Sequence, residues 1–202
     1  MSSLLVQVAE AAILSPVQSA TITDQNGDGT PEVVGLGFGH AGDPNYGTML
    51  VQKSGVQSPY ERRSVEEFSL SGISAVQSAT LTFSFYNSLG TSSGFETFLT
   101  VGDGQVQLSD FSLSSTSLGT RTVLGNQVSP ISFNVTSLLN SALTGGGSFI
   151  SVREQIAGAS GGSQVLSPQL NVTPIPEPSS LLLCVFGLVF TLRASRLRNT
   201  MT

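Results

Sequence analysis

Between residues 78 and 87 the chain reads SATLTFSFYN, and Ala79, Leu81, Phe83 and Phe85 alternate strictly with Ser78, Thr80, Thr82 and Ser84. A period of two places apolar side chains on one face of a strand and hydroxyls on the other, a pattern that no helix can bury along one stripe. This stretch therefore commits its neighbourhood to a sheet with one face in a core and the other toward water. FETFLTV (95–101) and ISFNV (131–135) alternate similarly, and SFISVREQI (148–156) and QLNV (169–172) are further strand candidates. Clusters of Gly, Ser, Asn and Pro separate these runs, as turns require. Only SLLNSAL (137–143) has the spacing of a helical turn or two. Many short strands punctuated by turns predict an all-β sandwich or barrel.

The chain closes on PIPEPSSLLLCVFGLVFTLRASRLRNT (174–200), in which residues 181–192 carry no charge. Twelve residues make about 18 Å of helix, and a bilayer core is about 30 Å thick. Ser179 and Ser180 extend the run, and the stems of Arg193, Arg196 and Arg198 reach toward headgroups. The expectation is a marginal, tilted or transient span, a short transmembrane-like helix. A buried core helix is the alternative, but the run is apolar all round and ends beside arginines without an intervening acid. Charge follows the same division: residues 1–192 hold five basic against thirteen acidic groups, a formal −8. Arginines beside an apolar run mark the cytoplasmic side, which places the body across the membrane.

Pro176, Glu177 and Pro178, an apolar helix, and an Arg-rich tail with Arg193, Arg196 and Arg198 follow one another in the order of the PEP-CTERM sorting signal, which this segment resembles. The resemblance implies export by a Gram-negative, exopolysaccharide-producing bacterium. It further implies an exosortase as partner, transient anchoring by the helix, removal of the C-terminal segment, and delivery to the cell surface or extracellular matrix. Such a segment is an address, so 174–202 is set apart from the domain at 17–173. Residues 1–16 are set apart as an N-terminal segment, read as the remnant of a signal peptide. MSSLLVQVAEAAILSPVQSA has no basic n-region and Glu10 interrupts its apolar stretch, so the export signal is expected upstream of Met1.

The body is long enough for one domain with a real core. Charged residues make up only 10% of the chain, so its solvation rests on Ser, Thr, Gln, Asn and 22 glycines. Cys184 is the one cysteine and lies in the tail helix, which leaves the body without disulfide or thiol chemistry. The acidic balance excludes nucleic acid as a partner, because phosphates need a basic face. There is no Trp, the commonest platform for sugar stacking.

A second resemblance rests on PNYGTMLVQKS (44–54), ERRSVEEFSLSGI (61–73) and VQSATLTFSFYN (76–87), then SFNVTSLLNSAL (132–143), Arg153-Glu154 and SPQLNVT (167–173). In this order they resemble the DNRLRE-type, disaggregatase-related domain, over roughly residues 17–173. Ser69 stands where that pattern carries Asp. The resemblance implies a jelly-roll-like β-sandwich of antiparallel strands, similar to carbohydrate-binding modules.

TDQNGDGTPEV (23–33) is the sharpest local signal. Asp24, Asn26 and Asp28 occupy positions 1, 3 and 5 of a calcium loop, with the Thr30 carbonyl at position 7 and Glu32 at position 9. Calcium takes six to eight oxygens, and this spacing turns three side chains toward one centre. Gly35 replaces the Glu that an EF-hand needs, so the expectation is a structural Ca2+ in a β-hairpin loop; the alternative is an Asx- and Gly-rich turn without metal.

No catalytic residue is assigned. His40 is the one histidine, too few for a confident triad or a zinc site. Glu66 and Glu67 are adjacent, so on a strand they face opposite ways and cannot form a glycosidase pair; solvation, or pairing with Arg62 and Arg63, is expected of them. Tyr46, Tyr60, Arg62 and Arg63 are the candidate glycan contacts, as stacking faces and carboxylate binders. The expected function is that of an exported, non-catalytic surface or matrix protein that associates with exopolysaccharide. The alternatives are a lyase-like polysaccharide-degrading enzyme, whose Tyr and Arg would converge in a cleft, or a structural surface protein without a ligand.

Overall fold

A computed structural model describes residues 10–35, 49–54, 60–87 and 91–175. The sorting residues Pro176 to Pro178, the apolar run 181–192, the tail arginines, His40 and Tyr46 lie outside the described residues. One compact unit runs from Ala11 to Pro174. Its strands are β1 (Ala12–Leu14), β2 (Gln18–Asp24), β3 (Val33–Gly35), β4 (Met49–Lys53), β5 (Glu61–Ser69), β6 (Val76–Asn87), β7 (Ser93–Gly102), β8 (Thr116–Val123), β9 (Gln127–Asn134), β10 (Phe149–Ile156) and β11 (Gly161–Pro174). A 3-10 helix spans Leu108–Ser112, and one α-helix, α1 (Thr136–Thr144), follows β9. Pairing reaches back to Ala12, opposite Val172, within the segment set apart as 1–16. Among the described residues no helix is long and apolar enough to cross a membrane.

The expected all-β, antiparallel character holds: the strands form an 11-stranded sheet in the order β8-β7-β10-β5-β4-β11-β6-β9. β2 pairs along β5 and carries β3, while β1 pairs with β11. β4 meets β5 only at Gln52–Arg62 and Lys53–Glu61, a corner that joins two halves. One half is β3-β2-β5-β10-β7-β8, the other β4-β11-β6-β9 with β1.

The halves face each other across one core. Phe85 of β6 and Phe95 of β7 are far apart in strand order, yet their rings stack with centroids 4.4 Å apart. At the two ends of the order, the Arg121 guanidinium of β8 lies 5.1 Å from the Phe133 ring centroid of β9, which brings the free edges together and makes the sheet nearly barrel-like. The alternation in 78–87 works as expected: Ala79, Leu81, Phe83 and Phe85 are buried with Phe68, Ile150, Val152, Leu170 and Val172. α1 is tied to β6 through Asn140, whose Oδ1 accepts from Val76 N and whose Nδ2 donates to Val76 O, both at 2.9 Å.

Removing the ring that bridges the halves leaves a void that neither sheet can close. Phe95→Ala is expected to lower unfolding free energy by about 3–5 kcal/mol, read from urea denaturation with an unchanged m-value.

Candidate functional site

The loop between β2 and β3 holds itself together through its own acids. Asp24, 2% exposed, accepts from Gly27 N at 2.6 Å and Gly29 N at 2.8 Å. Asn26 Oδ1 accepts from Asp28 N, Asp28 Oδ1 from Thr30 N, and Glu32 Oε2 from Gln25 N. Gly27 and Gly29 have φ of 73° and 89°, the left-handed region that glycine enters without strain. The Thr30 amide holds the Asp28 carboxyl below its usual range, so it stays ionised. Carboxylate oxygens of Asp24, Asp28 and Glu32 lie within 4.8 Å of one another. Oxygens around one calcium at 2.3–2.6 Å would be separated by up to about 5 Å, so the donor set fits a hard cation in size and chemistry.

Tyr60, Arg62 and Gln52 meet at the corner between the halves. The Arg62 guanidinium lies 5.0 Å from the Tyr60 ring centroid, and its NH1 donates to Gln52 Oε1 at 2.8 Å. All three residues are half-buried, so an aromatic ring, a cation and an amide lie together at a partly exposed corner. Beside them Lys53 bridges Glu61 at 3.1 Å.

Arg63 is differently engaged. Its Nε bonds Glu61 at 2.7 Å, its NH1 donates to the Phe111 carbonyl, and its guanidinium lies 3.9 Å from the Phe111 ring centroid. Arg153 NH1 donates to the carbonyls of Asp110, Phe111 and Leu113, and its guanidinium sits over Phe98 at 4.8 Å. The two arginines clamp segment 103–115 onto the outer face of β5 and β10, where Ile22, Val65 and Phe111 form a second small core. Glu67 faces this cover and accepts from Gly104 N at 3.1 Å. A Cβ on Gly102 would stand 2.0 Å from Glu67 Oε2, so only glycine admits the carboxylate there.

The expectation that Glu66 and Glu67 are solvated or paired with Arg62 and Arg63 is overturned. Both are at most 1% exposed, because β5 is covered on both faces, and the arginines turn to Gln52, Glu61 and Phe111. Glu66 points into the main core, diagonal to Glu154, since Val152 is opposite Glu66 and Glu154 opposite Ser64. Ser64 Oγ donates to Glu154 Oε2. Thr21 and Thr97 complete a polar row across β2, β5, β10 and β7. Burial first, then the neighbouring Glu154 charge, pushes Glu66 well above the ordinary 4.5. Burial likewise raises Glu154 to about 7. As two anions they would leave both Glu66 oxygens and Glu154 Oε1 unpartnered. One proton on Glu66, donated to Glu154, removes the repulsion and leaves fewer of these oxygens without a partner. Sequence reasoning missed this pair, since only the β5–β10 register brings residues so distant in the chain together.

The chain matches no protein-family model and no curated protein. Among solved structures it is similar to the K3 cleaved adhesin domain of the Lys-gingipain of Porphyromonas gingivalis W83, at 11% identity and TM-score 0.41, over 74% of this chain and 90% of that one. It is also similar to the CBM22-1 xylan-binding domain of Paenibacillus barcinonensis Xyn10C, at 9% identity and TM-score 0.38, over 84% of this chain and 99% of that one. A latent aurone synthase, a polyphenol oxidase, gives 15% identity and TM-score 0.39 over 57% of this chain, which spans a quarter (25%) of the oxidase. Likenesses this distant carry no argument about ligand.

The buried carboxyls set a direction for pH. Glu66, Glu154, Glu67 and Asp110 all have raised folded values. Between about pH 4.5 and 7 the folded state therefore binds more protons than the unfolded one, so stability falls as pH rises through that window. Thermal melting is expected at a higher temperature at pH 5 than at pH 8. Glu66→Gln, which keeps the hydrogen bond to Glu154 without a titrating proton, is expected to flatten the difference and raise melting at pH 8.

Proposed function

We propose that this chain is an exported, non-catalytic surface or matrix protein that binds polysaccharide, built on a jelly-roll-like sandwich and addressed by a PEP-CTERM-type segment that an exosortase processes. The observation that carries the reading is the half-exposed cluster of Tyr60, Arg62 and Gln52, with its ring–guanidinium separation of 5.0 Å. A tyrosine face packs on the C–H face of a pyranose, a guanidinium pairs with a sugar carboxylate in two-pronged fashion, and an amide serves hydroxyls. Tyr46, which lies outside the described residues, stays a proposed glycan contact on its residue type alone. Arg63 contributes behind the cluster, through Glu61, which also holds Lys53. The DNRLRE-type order of segments supports the sandwich topology. The run from Pro176 to Arg198 supports the address and the transient membrane anchor.

Calcium is proposed as structural. A cation among Asp24, Asn26, Asp28, Thr30 and Glu32 would neutralise carboxylates crowded within 4.8 Å and stiffen the β2–β3 hairpin. Calorimetric titration of the full chain with Ca2+ is expected to show one site, lost in Asp28→Ala, and melting is expected to rise on adding calcium. No heat, and equal melting in calcium and chelator, would remove the metal from this account.

Tyr60 and Arg62 also supply the pair that a lyase would use, so the binding assay must watch for chemistry. The full chain is to be titrated with polygalacturonate and with neutral glucans while absorbance of unsaturated product is followed. Expected are binding without product and a loss of about threefold to tenfold in affinity for the acidic polymer in Tyr60→Ala and Arg62→Ala. Unsaturated product would establish the enzyme instead, and no binding to any polymer would leave a structural surface protein. Mass spectrometry of the chain from a host with and without an exosortase tests the address, with loss of the C-terminal segment expected only in the first.

A further inference from the structure

The ionised groups are not spread evenly over the sheet. β1, β6, β9 and β11 contain no Asp, Glu, Lys, Arg or His, and β4 contains only Lys53, at its corner end. These are the strands of one half, whereas β2, β5, β7, β8 and β10 of the other half carry acidic or arginine side chains. In the charged half, the outer face of β5 and β10 is covered by segment 103–115, held by Arg63 and Arg153. Among the described residues nothing comparable covers the outer face of the uncharged half.

Register shows what that face presents. Asn134, Thr80 and Asn171 form one row across β9, β6 and β11, Ser132, Thr82 and Gln169 the next, and Pro130, Ser84 and Leu166 a third. Val128, Tyr86, Gln164 and Leu50 form a fourth. Thr80, Thr82, Ser84, Tyr86, Gln169 and Asn171 are half-buried, and Val128, Pro130, Ser132 and Asn134 are exposed. A bulge between Leu166 and Gln169 puts Ser167 at φ 50°. Beside it opens a cleft of about 350 Å³ lined by Thr82, Ser84, Pro130, Ser132, Ser167 and Gln169. Asn171 Nδ2 donates to Thr82 Oγ1 at 3.2 Å, which fixes two of these polar groups before any ligand arrives.

We infer that this uncharged face of β9, β6 and β11, with the Ser167 cleft at its centre, is a binding surface for a neutral polysaccharide chain. Hydroxyls and amides both donate and accept, as the ligand's hydroxyls do, so each protein–water bond can be exchanged for a protein–sugar bond of similar strength. Stripping water from such groups is far less costly than stripping it from a carboxylate or ammonium, and this face has neither. Pro130, Val128, the threonine methyls and the Tyr86 ring offer apolar patches to sugar C–H faces. The strands stand about 4.8 Å apart, close to the length of one sugar residue, so a chain crossing them along one row meets the side chain of the next strand at each unit. Charge complementarity selects the occupant: an acidic polymer would find no cation here, and a nucleic acid or anionic membrane even less. The inference rests on the polysaccharide-binding reading and adds a second surface, distinct in charge from the Tyr60–Arg62 corner.

The test is retention of the full chain on cellulose, curdlan and mannan, beside polygalacturonate, at about 0.05 M and about 0.5 M salt. Thr82→Glu, Gln169→Ala and Arg62→Ala are compared, with circular dichroism and melting used to confirm that each variant is folded. Expected is retention on a neutral polymer that salt leaves unchanged, that weakens about tenfold or more in Thr82→Glu and several-fold in Gln169→Ala, and that persists in Arg62→Ala. Loss in Arg62→Ala with no change in Thr82→Glu and Gln169→Ala would overturn this face while keeping the corner and the polysaccharide reading. Binding to polygalacturonate alone would do the same. Retention on no polymer would overturn both.

Discussion

The contact between Phe85 and Phe95 is the constraint on which the rest depends. An antiparallel sheet of this length has two faces to satisfy, and only by folding one half over the other can β6 and β7 bring those rings to 4.4 Å. The fold-over creates an inside, and the alternation along each strand then sorts every side chain into core or surface. Arg121 over Phe133 closes the far side, and the short β4–β5 pairing leaves the near side as a corner. The cluster of Tyr60, Arg62 and Gln52 forms at that corner because the β4–β5 register sets Gln52 opposite Arg62.

Once the halves are closed, the polar groups that face inward become expensive to ionise. Glu66 and Glu154 share a dry interior with Ser64, Thr21 and Thr97, and a single proton between the carboxyls is the arrangement in which the fewest lone pairs are stranded. The outer face of the same strands solves its own problem differently, by accepting a cover. Arg63 and Arg153 donate to carbonyls at the end of the 3-10 helix, the place where unpaired carbonyls collect, and Glu67 takes the Gly104 amide. The charged strands β5 and β10 are thus covered on both faces.

The other half carries no ionised group outside the corner, and it is the half left bare. That division separates two kinds of surface on one domain: a corner with a cation and an aromatic ring, and a plane of hydroxyls and amides.

Strand periodicity made most of the fold legible. The alternating runs at 78–87, 95–101 and 131–135 are β6, β7 and β9, and SLLNSAL is α1, because period and turn chemistry are local properties. The acidic spacing of 24–32 is equally legible, since these side chains sit within one hairpin loop. The charge-free strands were there to be read as well, but only pairing order places them side by side. Tertiary structure alone decided the fate of Glu66, whose neighbour Arg63 looks like its partner in sequence but lies on the opposite face of β5. It alone paired Glu66 with Glu154, spent Arg153 on carbonyls of a distant loop and brought Tyr60 and Arg62 to the corner. The reason is physical: alternation tells a residue which face it takes, but which strand lies beside it, and what covers that face, depend on long-range register and on how the sheet closes.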